Sequence, residues 1–302
     1  MIQILNKILE YNKIIIITHK RPDMDALGSQ MGMKLLLKEN FPKKQIYTSG
    51  EVNSFNFKYE LDELTDDEFK DSLVIVLDSG SEHLIYDQRF ITGDFLIKFD
   101  HHINNSPYGD ICYVDETKES CAGMVTEFAI KNDLVITKDA AFFLFAGIVA
   151  DSGRFLYSNV SEFTFKAASL LISKGIDLEE LYSELYKTDL RFKKLQGYVL
   201  SNFIAEGNVA YIKYNESTAK KFNSTFVELK SGTVNLMSNI ENINVWATFT
   251  EHDDSIFLEL RGSIDCLDIA IKHGGGGHLR ACGATLKSWD EVDEVIKEMK
   301  AL

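Results

Sequence analysis

The sequence predicts an α/β chain in two parts: a mostly parallel sheet flanked by helices, then a smaller α/β domain with a mixed sheet. Three observations carry this. The apolar runs at 14–17, 73–77 and 95–99 are short, β-branched or aromatic, and without period-two alternation, as strands covered on both faces are. Helical spacing of Leu, Met and Phe returns between and after them, the alternation expected of a parallel sheet with crossover helices. Beyond about residue 200 the pattern changes to alternating strands and a hairpin, which points to antiparallel strands.

In chain order, Ile4, Leu5, Ile8 and Leu9 lie at helical spacing and predict an amphipathic helix over 1–12. The run 14–17 empties into Thr18-His19-Lys20-Arg21-Pro22-Asp23-Met24-Asp25. Pro22 cannot donate to a ladder, so this stretch is a loop, and a helix over 26–39 follows with Asp25 at its start. A weaker strand is expected at 45–49, and a solvated acidic helix and loop over 51–70. The run 73–77 ends in Asp78-Ser79-Gly80, and 95–99 ends in Asp100-His101-His102. Helices are expected over 119–131 and over the very apolar 138–149, which closes on Asp151. Further helical structure is expected over 161–173 and 177–200, with 187–198 leading out of the first domain. In the second part, 209–214 reads as a strand, and 245–249 with 256–261 as a hairpin around the polar turn 251–255. A short helix over 267–273, the run Gly274-Gly275-Gly276-Gly277-His278, a strand at 284–286 and a helix over 289–302 complete the chain. The expected organisation is a Rossmann-like catalytic domain at 1–187, a helical linker at 188–200 and a second domain at 201–302, with the active-site cleft between the two.

Composition narrows the function. The 302 residues carry 46 acidic against 32 basic side chains. An array of cations for long duplex nucleic acid is therefore not expected. The four cysteines, Cys112, Cys121, Cys266 and Cys282, form no C-x-x-C pair, which argues against a zinc site or disulfide framework and for reduced thiols. The apolar runs fall far short of a membrane span, and no signal peptide is evident. The expectation is a cytoplasmic protein that does not engage membranes.

The chemistry lies at the strand ends. His19, Asp23, Asp25, Asp78, His101, His102 and Asp151 all fall where strands or a buried helix stop, the usual address of ligands in an α/β sheet. One such Asp is an ordinary helix cap. Acid clusters after three strands, two of them with histidine, are a different matter, because so many carboxylates in one place repel each other without cations. Oxygen-rich donors with some imidazole suit Mn²⁺, with Mg²⁺ the second choice. Two ions sharing a carboxylate could bracket a phosphate, and Asp78, the single acid ending the middle strand, is the natural bridge.

These residues resemble a known family. The stretch Thr18-His19-x-x-Pro22-Asp23-x-Asp25-Ala26-Leu27-Gly28-Ser29, then Asp78, then Asp100-His101-His102, then Ala150-Asp151-Ser152-Gly153-Arg154-Phe155 resembles the four motifs of the DHH phosphoesterases. The glycine run with Ala281 and Gly283 resembles their accessory DHHA1 domain. Length and the lack of extra domains are similar to the short subgroup of bifunctional oligoribonucleases, or nano-RNases, that also act as 3′-phosphoadenosine 5′-phosphate phosphatases. The resemblance implies that His19, Asp23 and Asp78 hold one ion, and Asp25, Asp78, His101 and Asp151 the second. It implies that His102 works beside the scissile phosphate while Asp100 orients the histidines. It further implies that Gly275, Gly276, Gly277 and His278 bind a substrate phosphate, with Arg154 and Arg261 as additional contacts.

The implied substrates are very short RNA oligonucleotides, cut to nucleoside 5′-monophosphates, and adenosine bisphosphate. Phosphodiesterases for cyclic di-AMP or its linear product pApA share the whole site and form the alternative. Inorganic pyrophosphatase lacks the glycine-run domain, and a catalytically silent nucleotide sensor would not need every ligand position filled. The apolar helices at 138–173 would support a homodimer.

Overall fold

The computed structural model describes residues 1–52 and 57–302; the part of the expected acidic helix and loop at 53–56 lies outside the described residues. The chain divides into two compact units, Met1–Lys187 and Thr188–Leu302.

The first unit opens with α1 (Ile2–Glu10), β1 (Lys13–Ile17), α2 (Met24–Asn40) and β2 (Gln45–Ser49). It continues with α3 (Asp66–Phe69), β3 (Leu73–Leu77), β4 (Phe95–Asp100) and β5 (Ile111–Val114), then α4 (Cys121–Lys131), α5 (Lys138–Asp151), α6 (Glu162–Ile172) and α7 (Leu178–Tyr186). The five strands form one sheet in the order β2-β1-β3-β4-β5, and every pairing is parallel. The apolar runs of β1 and β3 are buried throughout apart from Lys13. Their alternate residues feed two cores: Ile14, Ile16, Leu73, Ile75 and Leu77 pack with α2, α4 and α5, and Ile15, Ile17, Val74 and Val76 pack on the other face with Phe69, Phe90 and Tyr108. A sheet covered on both sides explains why the sequence shows runs rather than alternation. The C-terminal ends of β1, β3 and β4 lie side by side in this order, which brings the loops after Ile17, Leu77 and Asp100 together.

The second unit starts with α8 (Leu190–Asn202), β6 (Ile204–Glu206), β7 (Val209–Tyr214), α9 (Glu216–Phe222) and α10 (Phe226–Lys230). It ends with β8 (Val245–His252), β9 (Ser255–Gly262), α11 (Leu267–Lys272), β10 (Gly276–His278), β11 (Ala281–Leu286) and α12 (Trp289–Ala301). Its six strands run in the order β10-β11-β9-β8-β7-β6, with only β7 and β8 parallel. One face packs on α11 and α12 through Leu258, Leu260, Val292 and Ile296; the other takes α8 and its neighbours through Leu195, Val199, Ile212 and Leu229.

Three local readings are refined. The helical structure expected over 177–200 is two helices, because Lys187 is extended and the Asp189 carboxylate caps a new start at Phe192 N–H. The hairpin is longer than expected: β8 and β9 meet at a two-residue turn, Asp253 and Asp254, both left-handed at φ 47° and 57°. That geometry matches the twist of the flanking strands, and Asp tolerates it. The glycine run is not all loop, since Gly276–His278 is an edge strand paired to β11. No helix among the described residues is long and apolar enough to cross a membrane, and the four cysteines are free thiols.

Candidate active site

Each loop at the sheet's C-terminal edge delivers its polar groups in a defined way. After β1, Asp23 is the N-cap of α2, its carboxylate accepting from Ala26 N–H, and Asp25 follows in the first turn, 2 % exposed. Asp25 is held from across the unit: Oδ2 accepts from Cys121 N–H at 2.6 Å and Oδ1 from Ala122 N–H at 2.8 Å. Both donors belong to the first turn of α4, where free amides and the helix dipole favour an anion. After β3, Asp78 is left-handed at φ 54° and fully buried, its N–H donating to Phe99 O. After β4, Asp100 Oδ1 accepts from the backbone N–H of His101 and His102 and from His102 Nδ1 at 2.8 Å. Asp151 is the last residue of α5.

These groups converge. Asp78 Oδ2 lies 3.7 Å from His19 Nε2, and Asp78 Oδ1 lies 3.4 Å from His101 Nε2 and 3.5 Å from His102 Nδ1. His101 Nε2 is also 3.7 Å from Asp25 Oδ2 and 3.5 Å from Asp151 Oδ2. Three sets of donors therefore each gather within 4.8 Å: His19 with Asp23 and Asp78; Asp25 with His101 and Asp151; and Asp78 with His101 and His102.

The electrostatics are those of a site short of positive charge. Burial pushes Asp25 well above the ordinary carboxylate range, with Asp78 and Asp151 adding to it. Burial, partly offset by His101 and then reinforced by Asp78 and Asp23, takes Asp151 up to about 6. Burial, aided by Asp78, also raises Asp23. Asp78 goes the other way: against burial, His101 and His19 hold it well below the usual range. Burial opposes charging His19 and His101, but their acidic partners outweigh it and lift them to about 9 and about 10.

The residues fit divalent cations. Asp78 Oδ1 is buried with no hydrogen-bond partner, an orphan that a folded chain normally avoids. His19 Nδ1 donates to Lys20 O at 2.9 Å and His101 Nδ1 to Lys118 O at 3.3 Å. Each bond keeps a proton on Nδ1, so that in the neutral ring Nε2 is the nitrogen free to bind a cation, the arrangement seen in metal-ligating histidines. Oxygen donors with imidazole and no thiolate suit hard or borderline divalent ions.

The other expected contacts fall in different surroundings. Arg154, left-handed at φ 62°, lays its guanidinium over the Tyr186 ring at 3.8 Å. In the second unit, Arg261 is engaged internally, donating to Glu259 Oε1 at 2.5 Å and Leu260 O at 3.0 Å. Arg261, Lys230 and His278 line a cavity of about 530 Å³ together with Gly274–Gly277. Here the glycines have packing reasons: a Cβ on Gly275 would stand 2.0 Å from Gly283 O, and Gly277 sits at φ 136°, a conformation side chains rarely adopt. Gly275 N–H donates to Ala270 O and so helps close α11.

Residues 13–148 match the DHH family, N-terminal domain, and residues 222–302 match the DHHA1 domain. The chain belongs to the DHH family. Over 99 % of its length it is 37 % identical to the bifunctional oligoribonuclease and PAP phosphatase NrnA of Bacillus subtilis, of which it covers 97 %. It is 38 % identical, with the same coverages, to the probable bifunctional oligoribonuclease and PAP phosphatase NrnA of Streptococcus mutans. Its fold is that of an exopolyphosphatase-related protein from Bacteroides fragilis, with a TM-score of 0.85 at 24 % identity over 99 % of this chain and 94 % of the other. As a DHH phosphoesterase the chain is a metal-dependent hydrolase, and its acid and imidazole groups are of the kind that hold those ions.

The family motifs leave one buried charged group unmentioned. Lys98 sits inside β4, in a run that reads as buried strand, and is 0 % exposed. Its signal was a lone charge in an apolar strand, which a buried position accepts only with partners.

Proposed function

We propose that the protein degrades very short RNA oligonucleotides to nucleoside 5′-monophosphates and removes the 3′-phosphate of adenosine 3′,5′-bisphosphate, with Mn²⁺ as the working ion. The observation that carries the reading is the convergence of three donor sets at one sheet edge, two of them sharing Asp78, in a chain similar along nearly its whole length to proteins named for these two activities.

In this reading His19, Asp23 and Asp78 hold one ion, and Asp25, Asp78, His101 and Asp151 the other. Bound there, the ions supply Lewis acidity to the phosphoryl oxygens and make a nearby water more acidic. The chain does the rest. Asp78 keeps the two donor sets in register through its two oxygens. His102, 45 % exposed at its side chain, faces outward beside the scissile phosphate and exchanges a proton through Nε2, while Asp100 fixes its ring through Nδ1. Arg154, steadied on Tyr186, and the second unit's cavity with Arg261, Gly275, Gly276, Gly277 and His278 bind substrate phosphates. The protein works in the cytoplasm, and the apolar helices at 138–173 pair two copies.

The test is hydrolysis by the purified chain of di- to pentaribonucleotides and of adenosine 3′,5′-bisphosphate, with Mn²⁺ and Mg²⁺ in turn and with a chelator. Mononucleotide release that requires a divalent ion is expected. Intact short RNAs in Mn²⁺ would overturn the reading, and faster cleavage of cyclic di-adenylate or pApA than of mixed dinucleotides would replace it with the dinucleotide phosphodiesterase alternative.

A further inference from the structure

Lys98 is a costly residue to bury. It has no exposed surface, and an ammonium taken from water loses several kcal/mol unless its partners return them. Its neighbours in β4, Ile97 and Phe99, point into the α2–α4–α5 core, so Lys98 points to the opposite face. There it meets four groups, one at the end of β4 and three in the loops that carry the site. Its Nζ donates to Gly80 O at 3.1 Å, two residues beyond Asp78, and to Asn104 Oδ1 at 3.1 Å, two residues beyond His102. It lies over the Tyr108 ring at 4.7 Å, and the Tyr108 hydroxyl donates to Ser79 O at 2.8 Å. Its fourth neighbour is Asp100 Oδ2 at 3.5 Å.

The Asp100 carboxylate divides its work between two oxygens. Oδ1 takes the three N–H groups of His101 and His102. Oδ2 is buried without a hydrogen-bond partner, and the Lys98 ammonium is the cation beside it. The chain Lys98–Asp100–His102 therefore runs from inside the sheet to the exposed imidazole. The same ammonium ties the loop after β3 to the loop after β4. An apolar side chain at position 98 would do neither, and would leave the buried Asp100 Oδ2 without its cation.

We propose that Lys98 is a positioning residue of the phosphoesterase reaction: through Asp100 it sets the orientation of His102, and through Gly80 and Asn104 it fixes the Asp78 loop against the His101–His102 loop. The inference rests on the functional reading above, in which His102 works at the phosphate. Partners that stand behind active groups in this way commonly contribute 10- to 100-fold, as an order of magnitude.

The experiment compares wild type, Lys98→Met, His102→Ala and the double variant on whichever phosphoester the wild type turns over best, so that failure of the RNA reading shows in the wild type alone. Lys98→Met keeps the length and volume of the side chain and removes the charge. The expected result is a fall in kcat of roughly 10- to 100-fold with KM within about threefold. In the His102→Ala background the same substitution should cost clearly less, only the share that acts through the Asp78 loop, because residues that act as a unit are not additive. Equal fractional losses from Lys98→Met in both backgrounds, or an unchanged kcat in the single variant, would overturn the proposal. Should Lys98→Met fail to fold, Asn104→Ala removes one of the ammonium's partners from the loop and should lower kcat, not raise KM, by a smaller factor; a rise in KM alone would then overturn it.

Discussion

Replacing Asp78 should separate the fold of the first unit from its chemistry. The substitution to make is Asp78→Asn, not Asp78→Ala, because the residue is left-handed at φ 54°. Asn tolerates that backbone, whereas Ala there would add about 1–2 kcal/mol of strain and confuse the two effects. The amide keeps the shape and removes the charge that two of the three donor sets share. Loss of one preorganised electrostatic group from an active site typically costs roughly 3–4 kcal/mol, or about 10²–10³ in rate. A group serving two sets loses more than that and less than the sum, since such effects overlap. We therefore expect kcat to fall by about 10³- to 10⁵-fold. Initial rates of mononucleotide release, with bound metal counted by calorimetric titration and folding followed by circular dichroism, would measure it. A folded Asp78→Asn protein that binds metal as wild type does and keeps kcat within about tenfold would refute the bridging argument.

Two further outcomes concern the second unit. Gly275→Ala places a Cβ 2.0 Å from Gly283 O, whereas nothing lies within 4 Å of a Cβ at Gly276; the first should destabilise by about 1–3 kcal/mol in chemical denaturation and Gly276→Ala should be nearly neutral. Equal effects would show that backbone approach is not what the run is for. His273 has its Nδ1 2.9 Å from Glu291 Oε1 and its Nε2 3.1 Å from Glu298 Oε2. Burial disfavours its charged form, but the two glutamates outweigh it and raise it above the ordinary histidine value of about 6.5. The folded state thus binds the proton more tightly, so its stabilisation is complete below about pH 6.5 and is lost as pH rises through the raised value. The difference in Tm between wild type and His273→Gln should be largest near pH 6 and shrink at higher pH; a difference that grows with pH would reverse the sign assigned to the pair.

The strand-end ligands were legible because a parallel sheet puts its polar residues where apolar runs stop. His19, Asp78 and His101 follow β1, β3 and β4 directly or within two residues, and those strands are adjacent. What joins them was not legible. Nothing local in the sequence says that Asp25 reaches Cys121 and Ala122, 96 and 97 residues away, because that contact depends on how α2 packs with α4. Lys98 was hidden by its company: one polar residue among four apolar ones still reads as a buried strand. The glycine run misled in the other direction, since a three-residue strand of two glycines and a histidine has no side-chain alternation to announce it. The break between α7 and α8 is marked locally only by the capping carboxylate at the restart.

The segment from Lys118 to Ala122 has a mechanical meaning. Its first carbonyl steadies His101 and its last two amides clamp Asp25, so two donors of one set hang from a single five-residue lever at the start of α4. Displacing that lever would move both donors in step, preserving their spacing while shifting them together relative to Asp78. Substitutions on the far side of α4, none of them touching a ligand, offer a way to tune the site as one would adjust a vice, by turning it from behind.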